Sequence, residues 1–352
     1  MVRVYTILIF ILFIEGMAAQ KQQANPQLNY VNEAKEGYLV PLTSSNKYKN
    51  QFIQFEPNYS DFRKWKKAVN PYAEQKKAMS GMEVSSDLSW LTSNNDGLVW
   101  LGHASFFLRL NGAHILIDPV FNSISILHKR YSSIPFAIKD LPQMDYVLLS
   151  HNHRDHLSKK TLQQIKRSFP QVQVKTGLAM SSLISSLSGL KHIEEAGWYQ
   201  WYTVNHHQLK IAFLPSQHWS KRGLFDYNDH LWGAFLIQCN GKTIYFSGDT
   251  GYNEHLKEVG ELFQIDYALI GIGAYQPEWF MHVNHISPND ALKAAIEMGA
   301  KVFIPMHFGT FDLSDEPVCE PLDQVKKSYS QSENKNLQLC TPKIGEWVPL
   351  SH

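Results

Sequence analysis

The residues Ser150-His151-Asn152-His153-Arg154-Asp155-His156-Leu157 contain three histidines and one aspartate in the spacing H-x-H-x-D-H. The apolar run 146–149 before them predicts a short buried strand, and the amphipathic run 157–169 after them predicts a helix. The cluster should therefore lie on a strand-to-helix loop, where catalytic groups are commonly displayed. Crowded imidazoles are unfavourable unless their lone pairs bind something, and Zn²⁺ is the usual partner of imidazole and carboxylate ligands. A lone loop histidine would be structural, but four ligand-type side chains at this spacing predict a metal site.

Three more ligand-type residues follow predicted strands further along the chain. His218, Asp249 and His307 each come just after an apolar run that predicts a buried strand. A catalytic zinc site uses about three protein ligands, so seven ligands serve two zinc ions if one carboxylate bridges them. The predicted assignment gives the first ion His151, His153 and His218, the second ion Asp155, His156 and His307, and makes Asp249 the bridge.

The other secondary structure is predicted in two blocks, each with strands first and helices after. In the first block the predicted strands 98–101, 104–110 and 114–117 include the dipeptide Asn111-Gly112, which favours a tight hairpin turn. The second block has the predicted strands 198–204, 208–214, 231–239, 242–247, 267–270 and 302–305. A last helix at 321–329 is followed by a polar tail. This order fits a sandwich of two mixed sheets with helices on both outer faces.

The N-terminus predicts a secretory signal at 1–19. Met1-Val2-Arg3 is a charged start, 4–14 is almost entirely apolar, and 16–19 offers small residues for cleavage. The apolar run is shorter than the roughly 20 residues that span a bilayer, although an uncleaved anchor is the alternative. We therefore expect an exported protein, either periplasmic or secreted, for which peripheral membrane contact stays open.

Residues 20–95 predict an N-terminal arm in front of the main domain at 96–352. The arm begins with a polar lead, and its aromatic residues, interleaved with charges, are Phe52, Phe55, Tyr59, Phe62 and Trp65. These aromatics are expected to pack the arm onto the main body; a contact with a partner or lipid is the sharper alternative.

The composition is that of a globular protein, with 44% hydrophobic and 18% charged residues. The formal charge of +1 gives no global indication of nucleic-acid binding. The three cysteines, Cys239, Cys319 and Cys340, are scattered and form no C-x-x-C pair, so they do not build a zinc site. One disulfide in an exported protein would leave one thiol over, and the sequence does not say which.

The chain closely resembles the metallo-β-lactamase superfamily over nearly all of 96–312 and, within it, the N-acylphosphatidylethanolamine-hydrolysing phospholipase D family. The H-x-H-x-D-H core indicates only the superfamily, whereas Trp279-Phe280-Met281 and Gly309-Thr310-Phe311 are more specific. Other segments that carry the resemblance are Trp100-Leu101-Gly102-His103-Ala104, Asp118-Pro119, Gln217-His218-Trp219-Ser220-Lys221-Arg222, Leu231-Trp232-Gly233 and Gly248-Asp249-Thr250-Gly251-Tyr252. The chain departs from the family at Phe308, where animal members are expected to have Trp, and in its N-terminal region.

The resemblance implies a four-layer αββα sandwich of the α/β (α+β) class that holds two zinc ions. It also implies a phosphodiesterase that hydrolyses N-acylphosphatidylethanolamine at a membrane surface, giving an N-acylethanolamine and phosphatidic acid. Asp155, Asp249 and His285 are then the expected catalytic residues, with His285 near the phosphate or the leaving oxygen. A loop histidine that only orients a neighbour is the other interpretation of His285.

Residues around the ligands have weaker assignments. His103 and Asp118 are expected to orient ligands rather than bind metal. Lys221 and Arg222 are candidates to meet the phosphate, or form a solvated surface pair. Trp279, Phe280 and the apolar loop 120–141 are candidates to line an acyl-chain groove, to cover the site as a lid or to touch a membrane, with core packing as the alternative.

Two other functions stay open. One is a metal-dependent lactonase or other small-substrate hydrolase on the same fold, because two metal ions polarise a carbonyl equally well. An apolar groove beside the site would favour the lipid substrate, and a small closed polar pocket would favour the lactone. The other is an exported metal-binding or lipid-binding protein without activity, which the intact set of seven ligands disfavours. The oligomeric state, a homodimer included, is not determined.

Overall fold

The computed structural model describes residues 20–350, which form two seven-stranded sheets packed face to face. The predicted signal at 1–19 lies outside the described residues. The first sheet has the strand order β14-β1-β2-β3-β4-β5-β6. Its strands are β1 (Gly97–Trp100), β2 (Phe106–Leu110), β3 (Ala113–Ile117), β4 (Tyr146–Leu149), β5 (Gln173–Gly177), β6 (Ile193–Ala196) and β14 (Trp347–Pro349).

The second sheet has the strand order β13-β12-β11-β10-β9-β8-β7. Its strands are β7 (Gln200–Trp201), β8 (Lys210–Leu214), β9 (Ala234–Cys239), β10 (Lys242–Phe246), β11 (Tyr267–Gly271), β12 (Val302–Met306) and β13 (Gln338–Leu339). The α-helices are α1 (Tyr59–Lys67), α2 (Ala73–Lys77), α3 (Lys159–Ser168), α4 (Ser181–Ser188), α5 (Glu254–Leu262), α6 (Glu278–Met281), α7 (Pro288–Glu297) and α8 (Glu320–Gln331). Short 3-10 turns lie at Glu33–Lys35, Ser89–Thr92 and Ile138–Asp140.

Alternating side chains of the strands create the layers. In β2, Phe106 points between the sheets, where its ring centroid lies 6.2 Å from that of Phe246. Its neighbour Phe107 points the other way, into a separate cluster with Leu162 of α3. Side chains of α5, α7 and α8, such as Val259, belong to the same buried cluster as Phe106, which also contains the strands of the second sheet. Both sheets are therefore covered on their outer faces, as the predicted mixed-sheet sandwich requires, and that prediction is confirmed.

Local sequence signals explain the turns that hold this frame together. Asn111 and Gly112 both have positive φ angles, 48° and 80°, which a tight hairpin turn between β2 and β3 requires. The second hairpin has the same geometry, with 49° at Asn240 and 73° at Gly241. At the start of α7 the side chain of Ser287 accepts a hydrogen bond from the backbone N–H of Asp290.

The arm at 20–95 lies along both sheets. Tyr30 forms an isolated bridge with Gln200 of β7, and Val84 forms one with Ile344 near the C-terminus. In α1 the buried Trp65 packs on Phe280, with ring centroids 5.2 Å apart. Within residues 20–350, none of the helices has the length and apolar character that a bilayer-crossing segment needs.

The polar tail predicted after α8 contains two short strands that the sequence did not indicate. Its residues form β13, which pairs in parallel with β12, and β14, which pairs antiparallel with β1. Trp347 of β14 stacks on Trp90, with ring centroids 6.1 Å apart. Strands of two or three residues are too short to show an alternating pattern, so only their partners reveal them. The edge strand β6 was not predicted either, because Glu194 and Glu195 interrupt its apolar pattern.

Candidate metal centre

Strand direction brings the predicted ligands to one edge of the sandwich. β10, β11 and β12 run parallel, and β8 points the same way as β10 because both are antiparallel to β9. His218, Asp249 and His307 follow the carboxyl ends of β8, β10 and β12. The loop 150–157 follows the carboxyl end of β4, so the first sheet contributes the remaining ligands to the same place.

The first candidate group contains His151, His153, His218 and Asp249, each with a potential ligand atom within 4.8 Å of the others. Nδ1 of His153 lies 2.9 Å from Nε2 of His151 and 3.1 Å from Nε2 of His218. Oδ2 of Asp249 lies 3.8 Å from Nε2 of His151 and 3.6 Å from Nε2 of His218. Three imidazole nitrogens and one carboxylate oxygen therefore converge, which is a donor set that zinc accepts.

The second candidate group contains His103, Asp155, His156 and His307. Oδ2 of Asp155 lies 3.6 Å from Nε2 of His156 and 3.6 Å from Nε2 of His307. Oδ1 of Asp249 lies 3.1 Å and 3.0 Å from the same two nitrogens. Asp249 thus turns one carboxylate oxygen to each group, as a bridging ligand would.

Unpaired buried atoms test whether these residues fit metal ions. Nε2 of His156, Nε2 of His307 and Oδ1 of Asp249 are buried and make no hydrogen bond. Each such atom costs about 1–3 kcal/mol when nothing satisfies it. Three of them in one cluster are accounted for if their lone pairs bind a cation. The residues present therefore fit metal ions with nitrogen and oxygen ligands.

Asp118 and His103 support the second group. Asp118 is fully buried, accepts the backbone N–H of Ser150 at 2.8 Å, and lies 2.7 Å from Nδ1 of His156. A carboxylate at Nδ1 leaves Nε2 of His156 free as the ligand atom. His103 places Nε2 at 3.0 Å from Oδ2 of Asp155, and its carbonyl accepts the backbone N–H of His307 at 3.0 Å. His103 belongs to the second group by distance, and its contact with Asp155 is that of a positioning residue.

The N-terminal arm supports the first group. The side chain of Asn50 donates to the carbonyl of His218 at 2.8 Å and accepts the backbone N–H of His218 at 3.2 Å. Nδ1 of His218 lies 3.0 Å from the carbonyl oxygen of Asn284. The sequence analysis identified neither asparagine, because nothing in the local pattern around Asn50 points to a residue 168 positions away.

The two groups differ in the proton affinity of their histidines. In the first group, burial and neighbouring imidazoles hold the pKa of His151 well below its usual value, and burial lowers the pKa of His153 to about 4. In the second group burial acts in the same direction, but Asp249 and Asp155 raise the pKa of His307 to about 9. The same carboxylates raise the pKa of His156 well above its usual value. Burial lowers the pKa of His103, the remaining histidine of the second group, to about 3. A metal ion entering the second group would therefore compete with protons at His156 and His307, whereas the first group already offers neutral imidazoles.

A cavity of about 430 Å³ opens at the candidate ligands. Its apolar lining consists of Trp219, Ala274, Met281 and Leu313, and its cationic lining consists of Arg154, Lys221 and Arg222. Lys221 has no hydrogen bond or ion pair with any residue in 20–350. Arg222 instead donates through Nη1 to the carbonyls of Asn152 and Leu157. These hydrogen bonds hold the loop 150–157, called the ligand loop, in place. The cavity therefore combines an apolar wall with a free cation beside the ligands.

The other predicted site residues are placed differently. His285 is half-buried and lines the cavity, with ring centroids 5.2 Å from His218 and 5.4 Å from His307. Trp279 and Phe280 do not line the cavity in the described part of the chain. Phe280 packs on Trp65, and Lys64 lies 4.7 Å above the ring of Trp279. Among α6 residues, Met281 takes the lining position instead.

Known proteins resemble this chain in sequence. A family model described as the beta-lactamase superfamily domain matches residues 113–308. N-acyl-phosphatidylethanolamine-hydrolyzing phospholipase D 1 of Caenorhabditis elegans is 32% identical over 262 residues, covering 70% of this chain and 74% of the relative. The mitochondrial N-acyl-phosphatidylethanolamine-hydrolyzing phospholipase D of Saccharomyces cerevisiae is 34% identical over 259 residues, covering 70% of this chain and 54% of the relative.

Among solved structures, Igni18, a metallo hydrolase from Ignicoccus hospitalis, has the same fold. It has a TM-score of 0.54 and 21% identity, and the match covers 73% of this chain and 99% of Igni18. The fold, the candidate metal-binding groups and the relatives agree. The chain is therefore a metal-dependent hydrolase that belongs to the metallo-β-lactamase superfamily and, within it, to the family of N-acyl-phosphatidylethanolamine-hydrolysing phospholipases D.

Proposed function

We propose that this protein is a dinuclear zinc phosphodiesterase that hydrolyses N-acylphosphatidylethanolamine to an N-acylethanolamine and phosphatidic acid. The observation that carries this proposal is the cavity in which Asp249 faces both ligand groups while Lys221 and an apolar wall flank them. A phosphodiester with acyl chains needs a cation for its phosphate and apolar surface for its chains. The two curated relatives bear the name of this activity.

The two candidate ligand groups would each hold one metal ion. His151, His153, His218 and Asp249 would hold one ion, and Asp155, His156, His307 and Asp249 the other. Two bound zinc ions would lower the pKa of a water molecule and stabilise charge on the phosphoryl oxygens.

Residues around the ligands would position the substrate. Lys221 would pair with the phosphate, because it lines the cavity with no other charged partner in 20–350. His285 would donate a hydrogen bond to a phosphate or leaving-group oxygen, since it lines the cavity between His218 and His307. Trp219, Met281 and Leu313 would exclude water from the side where the chains lie. Arg222 would keep the ligand loop in place rather than meet the phosphate.

Hydrolysis of N-acylphosphatidylethanolamine by the zinc-loaded protein tests the proposal. In ¹⁸O-labelled water, attack at phosphorus puts the label into phosphatidic acid and leaves the N-acylethanolamine unlabelled. Asp249→Asn should abolish product formation, and Asp323→Asn, the same change on the exposed first turn of α8, should leave it intact.

Other outcomes would redirect the assignment. Hydrolysis of unmodified phosphatidylethanolamine at the same rate would remove the requirement for the N-acyl group. Metal binding without cleavage of any phospholipid would contradict the proposed substrate. Lactones and small phosphodiesters would then be assayed, because the metal-ligand geometry serves them equally.

A further inference from the structure

Two loops beside the candidate metal centre end in exposed apolar pairs. Leu224 and Phe225 are 82% and 91% exposed, and Ile126 and Leu127 are 88% and 89% exposed. Single exposed apolar residues are normal on a protein surface. These two pairs are almost fully exposed, so large aliphatic and aromatic side chains lie in water and no residue in 20–350 covers them. We call these four residues the apolar tips.

The apolar tips flank the same opening. Residues 221–223, directly before Leu224, line the metal cavity. Residues 123–126 line a second cavity of about 550 Å³. Arg154 and Arg222 line both cavities, and Arg154 donates to the carbonyl of Arg222 at 3.4 Å. The two loops are therefore neighbours at the mouth of the site.

The arm brings a third apolar segment to the same neighbourhood. Phe52 and Ile53 are exposed, and the carbonyl of Ile53 accepts a hydrogen bond from the side chain of Gln217 at 2.8 Å. Gln217 directly precedes the candidate ligand His218. Phe55 packs on Trp219, which lines the cavity, with ring centroids 5.8 Å apart.

The charged residues between the apolar tips are mostly cationic. The cationic residues that line the two cavities are Lys129, Arg154, Lys159, Lys160, Lys221 and Arg222. Within residues 20–350, the only carboxylates that line them are Asp155 and Asp249, both candidate metal ligands. Asp226 of the same loop turns its carboxylate inward, to the backbone N–H groups of Arg222 and Gly223. The face between the apolar tips is therefore cationic.

We propose that the apolar tips and the cationic residues between them form a docking face for an anionic phospholipid surface. The tips would enter the boundary between headgroups and acyl chains, and the cations would meet the anionic headgroups. This inference rests on the proposed function, because docking would serve phospholipid hydrolysis. A lipid leaving the bilayer would then reach the metal cavity directly. A second copy of the chain fits the face poorly, since two such faces would oppose cation to cation.

Vesicle flotation with the full chain tests the docking face. The probes are vesicles of phosphatidylcholine alone and vesicles of phosphatidylcholine with phosphatidylglycerol, neither containing N-acylated lipid. We expect binding to the anionic vesicles and less binding as salt increases, because salt screens the cations. Replacing Leu224 and Phe225 by Ser should weaken binding at least about tenfold, since two large apolar side chains lose their burial in the lipid.

Leu39→Ser is the matched control. Leu39 is also exposed, at 57%, but its neighbour Tyr38 packs on Tyr199, which directly precedes β7. Leu39 does not line either cavity within the described residues. This variant should bind vesicles as the parent does. The Leu224→Ser/Phe225→Ser protein should keep its metal content and its activity on a water-soluble phosphodiester, because neither side chain touches the candidate ligands.

Three results would overturn the docking face. One is equal binding of the double variant and the Leu39→Ser control to anionic vesicles. Another is no difference between neutral and anionic vesicles. A third is a dimer, seen by size-exclusion chromatography with light scattering, that the double variant converts to monomer while vesicle binding is absent. Docking is measured on vesicles that carry no N-acylated lipid, and activity is measured separately on N-acylphosphatidylethanolamine. Docking to the vesicles without activity in the separate assay would contradict the proposed function and leave the docking face standing.

Discussion

The two candidate ligand groups share Asp249 but are supported from different parts of the chain. In the first group, the backbone of His218 is held by Asn50, a residue of the N-terminal arm. In the second group, His156 and Asp155 are held by Asp118 and His103, which flank strands of the first sheet. The arm is therefore part of one half of the centre, and the first sheet supports the other half. This difference predicts that the two halves can be weakened separately.

The largest effect on metal binding is expected from a change at Asp249, which both ligand groups share. Asp249→Asn removes a charge from both groups, because Oδ2 of Asp249 faces the first and Oδ1 faces the second. Zinc affinity should fall by more than the roughly 10–100-fold that the loss of a residue behind a ligand causes. Metal content measured after dialysis should fall at both positions. Retention of two ions per chain would contradict the bridging role.

Asp118→Asn should weaken the second group alone. The carboxylate of Asp118 contacts both the Ser150 N–H and Nδ1 of His156. If the amide oxygen of Asn keeps the bond to Ser150, its NH₂ group faces Nδ1 and favours the His156 tautomer with its proton on Nε2. That proton blocks the ligand atom, so affinity for one of two ions should fall about 10–100-fold.

Titration of Asp118→Asn against a competing chelator should show two metal-binding steps, one weaker than in the parent protein and one unchanged. The control is Asp140→Asn, another carboxylate that accepts a backbone N–H, but in the loop 120–141 rather than behind a ligand. An equal loss of both ions from Asp118→Asn would show that the halves are not separable.

Asn50→Ala should weaken the first group. The change leaves the N–H and carbonyl of His218 without the partners that Asn50 supplies. We expect a loss of about 1–3 kcal/mol in the free energy of unfolding, and roughly tenfold weaker binding of one ion, as for other residues behind a ligand.

Asn25→Ala is the matched control for Asn50→Ala. It removes an arm hydrogen bond to the carbonyl of Glu195, at β6. This variant should lose stability without changing metal affinity. If both asparagine variants changed metal affinity equally, the arm would act through overall stability and not through His218.

Asp229→Asn should have the smallest effect. Asp229 lies 2.9 Å from Nζ of Lys21 and 2.7 Å from Nζ of Lys47, so it ties the arm to the loop that carries Leu224. Burial would raise its pKa, but hydrogen bonds from Lys47 and Lys21 lower it overall. A lowered pKa stabilises the fold above the unfolded value of about 3.9 and loses that contribution as pH falls through the folded pKa.

This partly exposed pair should contribute roughly 0.2–1 kcal/mol. Urea unfolding at pH 7 should therefore show Asp229→Asn slightly less stable than the parent. The difference should disappear when the pH is lowered below the folded pKa of Asp229. A difference that stays constant with pH would mean that the charge of Asp229 does not tie the arm.

The local sequence was sufficient to predict the secondary-structure elements and the types of residue that serve as ligands. The alternation in β2, the Asn-Gly hairpin turns and the Ser287 cap all act over a few residues, so the strands, turns and helix starts around them are predictable. His151, His153, Asp155 and His156 are recognisable because no packed core needs so many ligand-type side chains within six positions. The two-sheet sandwich follows from the order of these elements.

Tertiary structure alone decided what depends on distant partners. The short strands β13 and β14 exist because β12 and β1 offer open edges, and Asn50 meets His218 across 168 positions. Which oxygen of Asp249 faces which group, and the exposure of Leu224 and Phe225, are likewise absent from any local pattern. Periodicity reports the period of a single element, whereas these features arise where separate elements meet.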